Sequence, residues 1–245
     1  MPFEPVAPRS VPTDVYEQIV TGVLSGELAV GATLPSEREL ARILGVSRPA
    51  VREALGRVAA AGLVSIRQGG STKVLDPAVA GGLDLLPRLL VRDGELDPRV
   101  ARSVVEARAL VGPEVAELAA RRAADVVPAL SAILDELAAE PDSIAQQVIA
   151  LEFWSRVIDA ADSIAFRLMY NSLRAAYEPA LPVLAAVLEP EIANIGGYRA
   201  VVDAIAARDP ARAGTAARAL LTPATDALLE MCAALIADDP EERDG

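Results

Sequence analysis

The chain has 245 residues, 52 % of them hydrophobic and only 3 % aromatic, enough apolar mass for one large or two ordinary folded domains built mainly from helices. Its formal net charge is −12, its sequence pI about 4.6. Histidine is absent and Cys232 is the single cysteine, which removes the commonest metal ligand, the usual general base and any internal disulfide, and argues against most hydrolase chemistry.

The opening MPFEPVAPRSVP lacks a signal-peptide core, and no window reaches the roughly 18 uncharged apolar residues of a membrane span. A cytoplasmic protein with no membrane partner is expected. Cys232 reads as a small buried residue of a helix. Charge is divided unevenly: residues 1–75 carry eight Arg and Lys against seven Asp and Glu, whereas residues 76–245 carry 15 against 28. The first part is thus net +1 and the second net −13. Between Arg38 and Lys73 seven basic residues face two acidic ones, Glu39 and Glu53, a local patch suited to phosphates inside an acidic protein.

In chain order, VPTDVYEQIVTGVLSGEL reads as a helix capped by Thr13 and ended by Gly26, and AVGATLP as a loop. Ser36 with Glu39 forms a capping box that opens SERELARIL, which Gly45 stops after barely two turns. Ser47 then caps a third helix with Pro49 in its first turn and an apolar stripe of Val51, Ala54, Leu55, Val58 and Ala59. Two short helices joined by a glycine turn are the helix-turn-helix pattern. LVSIR and STKVL around Gly69-Gly70 form a hairpin, which beside a helix-turn-helix is a wing.

Arg48 and Arg52 stand four apart, opposite the apolar stripe, and offer donor forks that suit guanine or phosphate. Arginines alone would be a solvated face. The succession of capped helix, glycine turn, arginine-bearing helix and glycine-tipped hairpin points to double-stranded DNA instead. Arg38 would flank the same groove, and the wing tip at Gln68, Gly69 and Gly70, with Lys73 beside it, would approach the minor groove.

Beyond residue 75 the pattern turns to long helices, with DPAVAGG around Pro77, Gly81 and Gly82 as the expected connection. The expected layout is a winged helix-turn-helix over 1–75, a linker helix region over 76–95, an all-α domain of six or seven helices over 96–238 and a solvated tail over 239–245. GLDLLPRLLVRDGELD is read as helix, and AFRLMYNSLRAAYEPALPVLAAVLE as another. Prolines 98, 128, 190 and 210 are expected near helix starts, whereas prolines 113, 179 and 223 should kink or break helices.

The run LPSERELARILGVSRPAVREALGRVAAAGLVSIRQGGSTKVLD closely resembles the winged-helix domain of GntR-family bacterial transcription regulators, over about residues 12–75. The resemblance implies DNA contacts from Arg38, Ser47, Arg48, Pro49 and Arg52 and from Gln68, Gly69 and Gly70 at the wing tip. It also implies a homodimer on a palindromic operator, one half-site per subunit. VVEARALVGPEVAELAARR, LEFWSRVIDAADS and YRAVVDAIAARDPARAGTAARALL resemble the C-terminal domain of the FadR subgroup, an effector-binding helical bundle.

Many relatives hold a divalent metal in that bundle with an Asp and three histidines. The corresponding positions here are Ala150, Trp154, Tyr198 and Leu220, which leave no ligand set, so neither metal nor other cofactor is expected. The departure is similar to the fatty-acid regulator of the subgroup. It implies an apolar cavity for a lipid-derived effector such as long-chain fatty acyl-CoA, lined by Phe153, Trp154, Phe166, Met169, Tyr170 and Tyr198, with Arg108 at the acyl head. These aromatics are equally compatible with plain core filling. The overall expectation is a ligand-controlled repressor and not an enzyme. The alternatives are a sensor of a small carboxylate bound without metal, or a helical interaction module with no small ligand. An enzyme fused to a DNA-binding head would need a cofactor lysine, and the only lysine is Lys73, in the wing.

Overall fold

Two serine caps set the geometry of the N-terminal unit. The Ser36 hydroxyl accepts from the Glu39 amide at 3.3 Å and opens α2 (Glu37–Leu44), and the Ser47 hydroxyl accepts from the Ala50 amide at 3.4 Å and opens α3 (Arg48–Ala60). Between them Gly45 takes the left-handed conformation, φ +67, that ends α2 and turns the chain. The structure, a computed structural model, describes residues 11–67, 71–92, 95–122 and 124–238. They fall into two compact units, Met1–Leu85 and Leu86–Gly245.

In the first unit α1 (Val11–Leu24) packs on α3 through Val15, Ile19, Val20 and Val23, against Val51, Ala54, Leu55 and Val58. Thr13 does not cap α1, because the helix already runs through Val11. Its hydroxyl accepts from Arg57 Nη1 at 3.1 Å, and the Arg57 guanidinium lies 4.4 Å from the Tyr16 ring, tying α1 to α3. β1 (Val64–Ile66) and β2 (Thr72–Val74) pair antiparallel with Val64 opposite Val74. The loop AVGATLP adds to this wing: the Val74 amide donates to Ala32 and the Leu34 amide to Thr72, so Ala32–Leu34 runs as a third, strand-like edge. The wing tip expected at Gln68, Gly69 and Gly70 lies outside the described residues. The unit continues through α4 (Pro77–Ala80), whose end lies against Gly62.

The stretch 76–95 is therefore not one linker helix but is divided between the units. After Leu85 come α5 (Leu86–Leu90) and a short antiparallel pair, β3 (Val91–Arg92) with β4 (Glu95–Leu96), where a single helix was expected. Then follow α6 (Pro98–Arg122), α7 (Val127–Ala139), α8 (Ser143–Ala160), α9 (Ile164–Tyr177), α10 (Leu181–Ile192), α11 (Ile195–Ala206) and α12 (Pro210–Ala237). Asp142, Asn194 and Asp209 cap α8, α11 and α12 by accepting amides at 2.8–3.0 Å.

Helices α6 and α12 run antiparallel and form the spine of this bundle. A Cβ on Gly112 would lie 2.4 Å from Leu221, and one on Gly214 would lie 2.5 Å from Glu117. Ala116, Ala119, Ala120, Ala213, Ala217 and Ala224 complete a seam of small buried residues. By length and hydropathy α12 would also suffice to cross a membrane. Here its apolar stripe, including Leu220, Leu221, Leu228 and Cys232, is buried in the unit's own interior.

The prolines correct the sequence reading. Neither Pro113 nor Pro223 breaks its helix. Pro223 is exposed and frees the carbonyl of Ala219 on the exposed side, where water can replace the missing donor, whereas Pro113 is buried and its packing offsets the lost bond. Pro179 does divide the pattern, in the 3-10 turn Glu178–Ala180 between α9 and α10. Pro190 lies in the last turn of α10, not at a helix start.

Gly62 has φ +74, and a Cβ there would lie 2.1 Å from the carbonyl oxygen of Ala80. Gly62→Ala is expected to lower stability by about 1–3 kcal/mol from backbone conformation alone, with further loss from displacing α4. A shift of the urea denaturation midpoint checks this.

Candidate functional site

The first candidate surface is the outer face of α3 with the start of α2. Arg38, Ser47, Arg48, Pro49, Arg52 and Lys73 are all exposed, while Val51, Ala54, Leu55 and Val58 are buried. The division follows from the 3.6-residue period: the residues that hold the unit together leave the opposite face to the arginines. Arg52 is not loose. Its Nε donates to both Glu37 carboxylate oxygens at 3.1 and 3.2 Å, and its Nη2 to Oε2 at 2.7 Å. These bonds hold the Glu37 carboxyl below its ordinary value, with the charges of Arg52 and Arg48 adding to the effect, and they raise Arg52. Both arginines therefore bear on one carboxylate and share one face. The Glu37 partner was not foreseen, because its register against Arg52 depends on the angle between α2 and α3.

The second candidate site is a cavity inside the helical unit, between α6, α8, α9, α10 and α12. Together with the open solvent at its mouth, its empty space measures about 820 Å³. Its walls are mostly apolar: Val104, Val111, Gly112, Val115, Ala150, Leu151, Trp154, Ile158, Leu173, Ile192 and Leu221. Polar atoms come from Arg108, Gln147, Tyr170, Arg174, Tyr177 and Glu191.

Of the residues singled out from sequence, Arg108, Trp154 and Tyr170 line this cavity. Phe153 and Tyr198 do not: both are fully buried behind it, their rings edge to face at 5.0 Å, and Phe153 meets Trp154 edge to face at 5.7 Å. The Tyr198 hydroxyl nevertheless donates to Glu191 Oε1 at 3.5 Å. Phe166 packs on the rim of the core and Met169 is half-buried on α9, neither facing the cavity.

Arg108 forms an ion pair with Glu191, whose side chain is 2 % exposed. Burial opposes the Arg108 charge, but the charge and hydrogen bond of Glu191 outweigh it and raise the guanidinium above its ordinary value. Burial also raises the hydroxyls of Tyr170, Tyr177 and Tyr198. Their protons are therefore retained at neutral pH. The Tyr170 hydroxyl donates to the Leu151 carbonyl, and the Tyr177 hydroxyl to Gln147 Oε1 at 3.1 Å.

Glu191 is the residue that sequence reasoning missed. It stands 83 positions from Arg108, in a stretch read as the start of a helix and not the end of one. A glutamate on the apolar face of α10 was the available signal.

A divalent metal does not fit this bundle. The positions where relatives would ligate it hold Ala150, Trp154, Tyr198 and Leu220, which are committed to apolar and ring packing. Among the described residues no group of three or more His, Cys, Asp or Glu side chains could hold an ion.

Comparison with known proteins identifies the family of each unit. Residues 12–74 match the bacterial regulatory proteins of the gntR family, and residues 103–223 match the FCD domain. The chain is 51 % identical over 230 residues to the HTH-type transcriptional regulator Mce2R of Mycobacterium tuberculosis, covering 94 % of this chain and 96 % of that one. It is 28 % identical over 164 residues to the fatty acid metabolism regulator protein of Haemophilus influenzae, 66 % of each chain. Among solved structures, Lar, which controls expression of the Listeria monocytogenes agr system, shares the fold at a TM-score of 0.55. That alignment has 16 % identity and covers 92 % of this chain and 99 % of that one. These matches are to transcription regulators and not to enzymes, and the chain belongs to the gntR family of bacterial transcriptional regulators, a winged helix-turn-helix followed by an FCD domain.

Proposed function

We propose that the protein is a cytoplasmic, dimeric repressor that grips a palindromic operator with one α3 per half-site and releases it when a lipid-derived effector, such as long-chain fatty acyl-CoA, enters the cavity of the FCD domain. The observation that carries the effector class is the apolar wall of that cavity, interrupted by a charge pair that neutralises itself. The similarity to a fatty acid metabolism regulator over 66 % of the chain supports it. A small carboxylate is less well matched, because the Arg108 charge it would seek is already met by Glu191.

On the DNA side, Arg48 and Arg52 read base edges, Arg38 and Lys73 neutralise phosphates, and Ser47 and Pro49 bring the α3 N-terminus close to the backbone. The wing tip, Gln68, Gly69 and Gly70, enters the minor groove. Effector binding biases the conformation of the helical domain, and the linker near Pro77 to Gly82 passes that bias to the spacing or tilt of the two heads.

Arg52→Ala is expected to weaken operator binding by about 1–3 kcal/mol and to relax specificity at one base pair, whereas Lys73→Ala weakens binding to all sequences alike and lowers the salt slope by about 1. Fluorescence anisotropy with operator and scrambled DNA over a salt series separates the two. In gel-shift titrations, dodecanoyl- to eicosanoyl-CoA should release the operator. Unchanged affinity with these, together with release by a small hydroxy acid or sugar acid, overturns the lipid reading.

A further inference from the structure

Three buried polar atoms among the described residues have no hydrogen-bond partner: Arg108 Nη1, Trp154 Nε1 and Glu191 Oε2. All three belong to side chains that line one cavity. Glu191 is 2 % exposed and Trp154 8 %. A buried donor or acceptor left unpaired costs about 1–3 kcal/mol, so three in one cavity mark a subsite that a ligand completes.

The neighbouring polar groups are already committed. Arg108 Nη2 bonds Glu191 Oε1, which also accepts from Tyr198. The Tyr170 and Tyr177 hydroxyl protons are used by the Leu151 carbonyl and Gln147. Arg174 Nε donates to Glu178 at 2.8 Å. Among the buried atoms, what remains on offer is two donors and one carboxylate acceptor, with the charges of Arg108 and Glu191 cancelling.

That balance discriminates between head groups. A carboxylate can accept from Arg108 and Trp154, but it brings a second negative charge against Glu191 in a poorly solvated site and has no proton to give Oε2. An ester can accept, but it too leaves Oε2 unpaired. An amide satisfies both sides: its carbonyl accepts from Arg108 Nη1 or Trp154 Nε1, and its N–H donates to Glu191 Oε2.

We propose that Arg108, Trp154 and Glu191 form a subsite for an uncharged head group with an acceptor and a hydrogen-bond donor side by side, an acyl amide, and select it over the free carboxylate of a fatty acid. This rests on the lipid reading of the cavity, and the amides of an acyl-CoA's pantetheine arm belong to the same chemistry.

Trp154 is the only tryptophan, so the intrinsic fluorescence of the full-length protein reports occupancy of this subsite directly. Titration with dodecanamide, dodecanoate and methyl dodecanoate should show half-saturation by the amide at a concentration roughly tenfold or more below the other two. In Glu191→Gln the Arg108 charge is no longer cancelled, and the preference should turn toward dodecanoate. The wild-type ranking decides the matter even where that variant fails to fold. Dodecanoate or methyl dodecanoate binding as tightly as the amide overturns the head-group assignment while leaving the lipid cavity standing. No response to any of the three overturns both.

Discussion

The seam between α6 and α12 is the constraint on which the helical unit depends. Glycine and alanine at the crossing let the two longest helices approach closely, and the interaxial distance of a helix pair is set by the side chains between its axes. Once that distance is fixed, α8, α10 and α11 pack on the flanks of the pair, and α7 lies against α8 and α11. The cavity opens at the edge of the same seam, where Gly112, Leu221 and the Trp154 ring converge. The empty space thus lies beside the close packing of the seam, walled by Trp154 of α8 and by Tyr170 and Tyr177 of α9.

The DNA-reading unit works by a different economy. It is small, and its core is a stripe on α3 against a stripe on α1, with the wing completed by a third edge from the loop before α2. Its near-neutral charge matters less than its distribution. The acidic residues 76–245 account for the low pI, while the exposed cations cluster on α2, α3 and the wing. Phosphates respond to the local field within about a Debye length, roughly 8–10 Å at physiological salt, so an acidic partner domain does not prevent DNA binding.

How much of this was legible in the sequence depended on how local the information was. Ser36, Gly45 and Ser47 act within four residues of themselves, so the helix-turn-helix could be read with its boundaries. The pairing of Ala32–Leu34 with β2 could not, since a strand edge made by a seven-residue loop has no period of its own. Prolines misled for the same reason: Pro113 and Pro223 carry a local penalty that burial or hydration offsets only in the folded bundle. In the cavity, Arg108 and Trp154 were legible because they interrupt or enlarge an apolar face, and Tyr198 was placed one layer too far forward. Glu191 was not found, because an ion pair spanning 83 residues leaves no trace in spacing.

Glu37 and Arg52 give the DNA surface a built-in competitor. To offer its full donor fork to a base the guanidinium would have to leave a carboxylate that holds it with three hydrogen bonds, so its contribution to binding would be a difference between two occupied states and not the value of a new contact. In a loose encounter with phosphates alone Arg52 would keep its carboxylate, and the pair, its charges cancelling, would add little attraction. The pair would therefore withhold one cation from casual association and yield it only where a base edge competes for the guanidinium, so an acidic residue at the start of α2 would serve discrimination by masking a charge.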